Sequence, residues 1–155
     1  SKPEVLVTVT LGTGIGIGVV NNGNLFCGVN CGVGEIGYLD YKDGCLEDYC
    51  SRQFFDRHGV QCHEAAEAAL SGDADALKLF EEFGRNLGHA LTILLFAYDP
   101  SHIVFGGGIA NAYPLFRNSM EEYIRSKYPF SANLDKLQID VHTGNDIPVI
   151  GASLI

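Results

Sequence analysis

Tryptophan is missing from the 155 residues, methionine occurs once, and Lys and Arg together number 10 against 19 Asp and Glu. The resulting charge of −9 excludes general affinity for nucleic acid or an anionic membrane, which needs a basic face. It leaves room for an anionic small ligand, because backbone N–H groups hold phosphate without a lysine. Long apolar runs are also lacking. The most apolar helical stretch, Leu87 to Ala97, is interrupted by Gly88, His89 and Thr92, too short and too polar to span a bilayer. No basic segment followed by an apolar one opens the chain, so no secretory leader is read. The five cysteines include no Cys-x-x-Cys pair, and an odd set of that kind reads as reduced thiols in a cytoplasmic protein. No initiator Met is present, and Val149 to Ile155 reads as a helix begun and not completed. The expectation is a single domain over residues 1–155 belonging to a larger protein.

What the chain does have is glycine. The stretch Thr10–Asn24, TLGTGIGIGVVNNGN, invites a phosphate-binding reading, and the residues after its glycines decide which kind. Upstream, Glu4 to Thr10 alternates Val5, Val7 and Val9 with Leu6, Thr8 and Thr10, a two-faced strand. Ile15 to Asn21 reads as a second strand, and Asn22-Gly23 is a type I′ hairpin signal leading into a third at Leu25 to Gly28. A P-loop requires Lys-Ser/Thr and a helix after its last glycine, and neither is present. The dinucleotide fingerprint requires glycine where Ile17 stands, and again a helix. What remains is a turn, Gly12-Thr13-Gly14, between antiparallel strands, with a hydroxyl at its tip and N–H groups that can face an anion. Gly16 and Gly18 strip side chains from one face of the second strand, which suits close approach. A single Gly-x-Gly turn is more commonly a hairpin without a ligand. The second run, Gly106-Gly107-Gly108, at another strand end and before a helix, shifts that balance toward an anion or nucleotide site.

Between the two glycine runs lies a helical block. Val29 to Lys42 reads as irregular, and a helix is expected from near Cys45 through Leu46, Tyr49 and Phe54. Glu64 to Leu70 forms a short helix ended by Gly72. Asp73 caps a long amphipathic helix carrying Leu77, Phe80, Phe83, Leu87, Leu91, Leu94 and Leu95, which Asp99-Pro100 terminates. His102 to Phe105 is a short strand. The helix after the second glycine run has Pro114 in its first turn and places Phe116, Met120, Tyr123 and Ile124 on one face. Leu137 to Val141 completes a five-stranded set. Three antiparallel strands, helices, then two more strands give an α/β domain with a mixed sheet.

Four ordered motifs, LGTGIGIGVVNNG, GVGEIGY, GCLE and IVFGGGI, resemble the C-terminal half of the ROK family of repressors and sugar kinases, from about Val5 to the last residue. The resemblance implies a ribonuclease H-like (actin-like ATPase) fold. It implies that Gly12, Thr13 and Gly14 face the β- and γ-phosphates of ATP, and that Gly106, Gly107 and Gly108 pack on the adenosine. Glu35 and Glu47 match two acids that bind sugar hydroxyls, as an ionised carboxylate suits. Without the family, Glu47 reads equally well as a helix N-terminal carboxylate. ATP and a hexose or amino-hexose are the implied small-molecule partners, with Mg²⁺ as counter-ion. A homodimer is compatible with the family. No nucleic-acid contact is expected through this domain.

The chain also departs from the family pattern. Tyr38 stands where most members carry a histidine that contacts sugar and zinc, and it is carried over as the third sugar-facing residue. Of the usual cysteine cluster only Cys45 remains, so no metal site is expected; one thiolate and a tyrosine cannot build a Cys₃His zinc site. Cys50, Cys62 and His63 have no ligand spacing, and the thiols read as buried and free. The general base of the kinases lies in an N-terminal lobe outside this chain, and Asp40, Asp43 and Asp48 read as surface charges. The implied activity is phosphoryl transfer to a sugar by the intact protein, with no catalytic residue and no turnover in this chain alone. The alternatives are a sugar-sensing transcriptional regulator or a non-catalytic sugar-binding member of the same family.

Overall fold

The structure is a computed structural model and describes residues 3–143. Strands β1 (Val5–Leu11), β2 (Ile15–Asn21), β3 (Asn24–Leu25), β6 (His102–Gly106) and β7 (Gln138–Val141) form one sheet in the order β3-β2-β1-β6-β7. β1 to β3 are antiparallel neighbours, while β6 runs parallel to β1 and β7 parallel to β6. This is the mixed five-stranded sheet read from the sequence. The predicted third strand is shortened to two residues: after the Phe26 N–H bonds to Val19 O at 2.7 Å, Gly28 turns the chain away with φ +74°.

The two faces of β1 explain its alternation. Val7, Val9 and Leu11 are fully buried with Ile103 and Phe105 of β6 in one apolar core. That core is closed by helix α4 (Ala74–Tyr98) and helix α5 (Tyr113–Lys127). The Asp73 carboxylate caps α4 by accepting the Ala76 N–H at 2.8 Å, and Asp99 ends it in the left-handed region before Pro100. α4 buries Phe80, Phe83, Leu87, Leu91, Leu94 and Leu95, but Leu77 stays 40% exposed in the first turn, beyond the reach of the layer. On α5, Phe116, Met120 and Ile124 are buried while Tyr123 is half-buried. The two helices approach closely because Gly84 and Gly88 of α4 lack side chains. A Cβ there would lie 2.5 Å from Phe116 O and 2.9 Å from Met120 O.

The helix read from Cys45 through Phe54 is two helices, α1 (Leu46–Tyr49) and α2 (Arg52–Arg57). Ser51 breaks it: its backbone is extended and its Oγ accepts the Gln53 N–H, capping α2. The same hydroxyl donates to Glu47 O at 2.6 Å. Helix α3 (Cys62–Leu70) comes next, and Ser131–Lys136 (α6) precedes β7. Two further features lie where irregular chain was expected: a 3-10 turn at Ile36–Tyr38, and a small hairpin of β4 (Asp40–Tyr41) with β5 (Gly44–Cys45). The predicted terminal helix at Val149–Ile155 lies outside the described residues.

Candidate functional site

The ends of parallel neighbours bring the two glycine runs together. Thr10 of β1 pairs with Gly106 of β6, so both chains leave the sheet side by side. Gly107 then packs directly on Leu11, the last residue of β1. It has φ +85°, and a Cβ there would lie 2.8 Å from the Leu11 carbonyl carbon and closer still to its oxygen. A five-residue 3-10 turn, Gly108–Ala112, separates this run from α5. The helix read with Pro114 in its first turn then runs from Tyr113 to Lys127.

In front of these turns is a cleft of about 790 Å³. Gly12, Thr13 and Gly108 line it, and α2 and α3 supply the opposite wall through Arg52, Cys62 and Ala66 among others. Of the second glycine run only Gly108 lines the cleft; Gly106 and Gly107 do not. Within the first turn the Gly12 N–H donates to Gly14 O at 3.0 Å. The N–H groups of Thr13 and Gly14 have no partner among the described residues, and the Thr13 side chain is exposed. The free Thr13 N–H and its hydroxyl, at a residue that lines the cleft, suit an anionic group.

Gly14 faces the other way, toward Glu47. A Cβ at Gly14 would lie 3.0 Å from the Glu47 carboxyl carbon, and Glu47 Oε2 accepts the Ile15 N–H at 3.3 Å. Gly37 faces the same side chain: a Cβ there would lie 3.5 Å from the Glu47 Cβ. The 3-10 turn that begins after Glu35 is thereby laid against α1. Glu47 is half-buried at this junction and keeps Oε1 free of partners among the described residues; Glu35 is exposed. Tyr38 is 81% exposed and projects from the same turn. The turn Gly12–Gly14 thus has the cleft on one side and the Glu47 carboxylate on the other.

The hairpin that carries this segment is fastened by side chains that no sequence motif announced. The Tyr41 hydroxyl donates to Asn86 Oδ1 at 2.8 Å, and Lys42 Nζ donates to the same oxygen at 3.0 Å. Asn86 is 1% exposed on α4. An ammonium can only donate, so Lys42 fixes which end of the amide faces the hairpin. Asn86 Nδ2 is then left without a partner among the described residues. Lys42 Nζ also lies over the rings of Tyr41 and Tyr49, at 5.4 and 5.0 Å, and Tyr41 stacks on His89 with centroids 4.7 Å apart. Burial, with Cys50 second, pushes the Tyr41 pKa up to about 12. Desolvation first, then Lys127, holds His89 below its ordinary value, with Nδ1 bonded to the Tyr123 hydroxyl at 2.9 Å. The clue available in the sequence was a polar residue, Asn86, on the apolar stripe of α4, with no indication of its partner.

The three aspartates divide by role. Asp40 is exposed, as expected. Asp43 bonds to Tyr49 and lies 3.7 Å from Arg57; these contacts, Tyr49 first, hold its carboxyl below the usual range. Asp48 is a capping residue rather than a free surface charge: its Oδ2 accepts the Cys45 N–H at 2.9 Å and the Cys45 thiol at 3.4 Å. The Cys45 thiol is thus turned to the cap. Among the described residues no three His, Cys, Asp or Glu side chains gather as a metal site, and a structural zinc does not fit this donor set. Cys50 is buried and its thiol pushed up by desolvation. Cys62, expected to be buried, instead half-emerges to line the cleft, with a pKa raised by burial to about 11.

Comparison with known proteins gives this arrangement a lineage. The family model described as ROK family matches residues 2–155. A glucokinase of Halalkalibacterium halodurans is 31% identical over 94% of this chain and 54% of its own length. A xylose repressor of Bacillus spizizenii is 28% identical over 97% of this chain and 43% of its own. The chain therefore spans about half the length of these curated relatives. A ROK hexokinase structure from Thermus thermophilus superimposes with a TM-score of 0.77 over 98% of this chain and 56% of that one, at 24% identity. That likeness bears out the actin-like ATPase fold.

Proposed function

The chain belongs to the ROK family, and from that premise we propose that it is the ATP- and sugar-binding C-terminal lobe of a cytoplasmic hexose kinase. One observation carries the reading. The turn Gly12–Gly14 lies between a cleft and a carboxylate, with free N–H groups on Thr13 and Gly14 and with Glu47 against Gly14. Phosphoryl transfer requires a nucleotide phosphate and an acceptor hydroxyl to meet at one point, and catalysis consists largely of that positioning.

In this reading Gly12, Thr13 and Gly14 receive the terminal phosphates, and Gly106, Gly107 and Gly108 shape the adenosine side of the cleft. Mg²⁺ accompanies the phosphates as their counter-ion. Glu47 and Glu35 accept hydrogen bonds from sugar hydroxyls, with Tyr38 beside them; Glu47 is pre-oriented because Ile15 N–H holds one of its oxygens. The proton of the acceptor hydroxyl goes to a base outside this chain. This lobe does not turn over sugar by itself. The site segment is held by the Tyr41–Lys42–Asn86 clasp, with no zinc.

The test is coupled ADP release by the full-length protein across a panel of hexoses and amino-hexoses. Turnover with one or more sugars is expected, and Glu47→Gln should raise the sugar KM at least tenfold, since one charge-assisted hydrogen bond contributes roughly 1.5–3 kcal/mol. No turnover with any sugar, alongside measurable sugar binding, would replace the kinase with a sensing role. The xylose repressor relative favours that second reading. The upstream sequence separates the two: a D-x-G-x-T phosphate loop marks the kinase, and a helix-turn-helix the regulator.

A further inference from the structure

The cleft in front of the glycine turns offers dipoles but little charge. Its N–H groups and the Thr13 hydroxyl are neutral, Asp56 and Glu67 line it with negative charge, and the whole chain carries −9. A triphosphate entering there meets net repulsion unless a cation offsets it. Arg52 is the one Lys or Arg among the described residues that line the cleft.

Its position is set by the backbone. The Arg52 N–H donates to Gly12 O at 2.8 Å, so the first residue of α2 is bolted to the phosphate-facing turn. Ser51, which breaks the preceding helix, makes this possible by starting α2 at that point. The Arg52 side chain is 58% exposed, and its Nε lies 3.4 Å from Asp56 Oδ2, one helical turn away. Its two terminal nitrogens have no partner among the described residues. An exposed i,i+4 pair of this kind contributes little to stability, so exchanging the carboxylate for a phosphate costs little. A guanidinium is also the side chain whose planar fork matches phosphate oxygens two at a time.

We propose that Arg52 is the charged phosphate ligand of this cleft, held in readiness by Asp56 and handed over to the nucleotide triphosphate on binding. This assignment rests on the reading of the cleft as a nucleotide site. It makes Arg52 a binding residue of this particular chain, supplied by α2 and not by the glycine loops. It also gives Asp56 an opposite role, as the competitor that the phosphate displaces.

Isothermal titration of the full-length protein with ATP and, separately, with adenosine tests it in wild type, Arg52→Ala, Arg52→Lys and Asp56→Asn, with circular dichroism to confirm folding. Arg52→Ala should weaken ATP about tenfold or more, leave adenosine unchanged, and flatten the salt dependence of ATP binding. Arg52→Lys should recover part of the loss, and Asp56→Asn should tighten ATP. The opposite signs of the Arg52 and Asp56 variants separate phosphate binding from a structural ion pair, whose loss would act in one direction. Unchanged ATP affinity in Arg52→Ala, with ATP and adenosine both bound by wild type, overturns the Arg52 assignment alone. An equal loss of ATP and adenosine also overturns it, marking Arg52 as a prop of the turn. Failure of wild type to bind either nucleotide overturns the cleft reading and the assignment with it.

Discussion

The cleft wall and the acid-bearing segment meet at Gly14, yet they are made of different materials. The wall is backbone: two glycine turns at the ends of neighbouring parallel strands, held by the sheet ladder and by Gly107 packed on Leu11. The segment from Glu35 to Cys45 has a 3-10 turn and a hairpin of two-residue strands; beyond the Leu46 N–H on Leu39 O, it is fastened to α4 by side chains reaching from Tyr41 and Lys42 to Asn86, up to 45 residues away. A backbone-built wall tolerates changes in side chain but not in shape. A side-chain-built segment tolerates changes in shape but depends on particular partners.

The strongest challenge to this contrast is Gly107→Ala. A Cβ at φ +85° against the Leu11 carbonyl has nowhere to go, so a loss of about 3 kcal/mol or more is expected in urea unfolding. A loss under about 1 kcal/mol would mean that the wall yields and is not fixed by backbone contact. Next in size is Asn86→Ala, expected to cost about 1–2 kcal/mol by removing the shared acceptor of Tyr41 and Lys42. Its signature is regional: hydrogen exchange should speed up at Asp40–Cys45 while the β1 amides keep their protection relative to global unfolding. Uniform acceleration would dissolve the distinction between the two regions.

A smaller effect is expected at alkaline pH. The folded Tyr41 pKa lies near 12, above the ordinary 10, so the folded state holds that proton more tightly than the unfolded one. The associated stability is complete below pH 10 and is lost as pH rises through about 12. Tyr41→Phe, which keeps the ring but cannot ionise, should make that limb of the stability profile shallower, leaving the share of the buried Cys50 and Cys62 thiols. Retention of the full alkaline loss in the variant would place its origin elsewhere. The smallest expected effect is none at all. Treatment with a strong chelator should leave the melting temperature unchanged, because the clasp does the fastening that zinc would otherwise do. A chelator-induced drop would show a metal in this segment.

The two materials also differ in how far the sequence reveals them. Glycines at strand ends are visible because their function is conformational and local, so the turn Gly12–Gly14 and the run Gly106–Gly108 both stand out in the sequence itself. The alternation of Val5 to Thr10 and the stripe of Phe80 to Leu95 likewise depend on neighbours three or four positions away at most. The clasp was not legible, because nothing within several residues of Tyr41 or Lys42 points to Asn86. The break at Ser51 was missed for another reason: Leu46, Tyr49 and Phe54 keep a helical spacing across it, while the capping hydroxyl that interrupts them is a single residue.

The amino-acid sequence by itself determined the order of the five sheet strands and of the two long helices, the two glycine turns and the family, because periodicity, turn chemistry and ordered motifs are short-range signals. Tertiary structure alone decided that the two turns share one cleft, that Gly14 rests on Glu47, and that Asn86 fastens the hairpin beside it. It also decided that Arg52, one surface charge among several in the sequence, is fixed by its backbone to the turn Gly12–Gly14. These are contacts between residues distant in the chain, and they exist only once the sheet closes on its helices and brings both strand ends to the same edge.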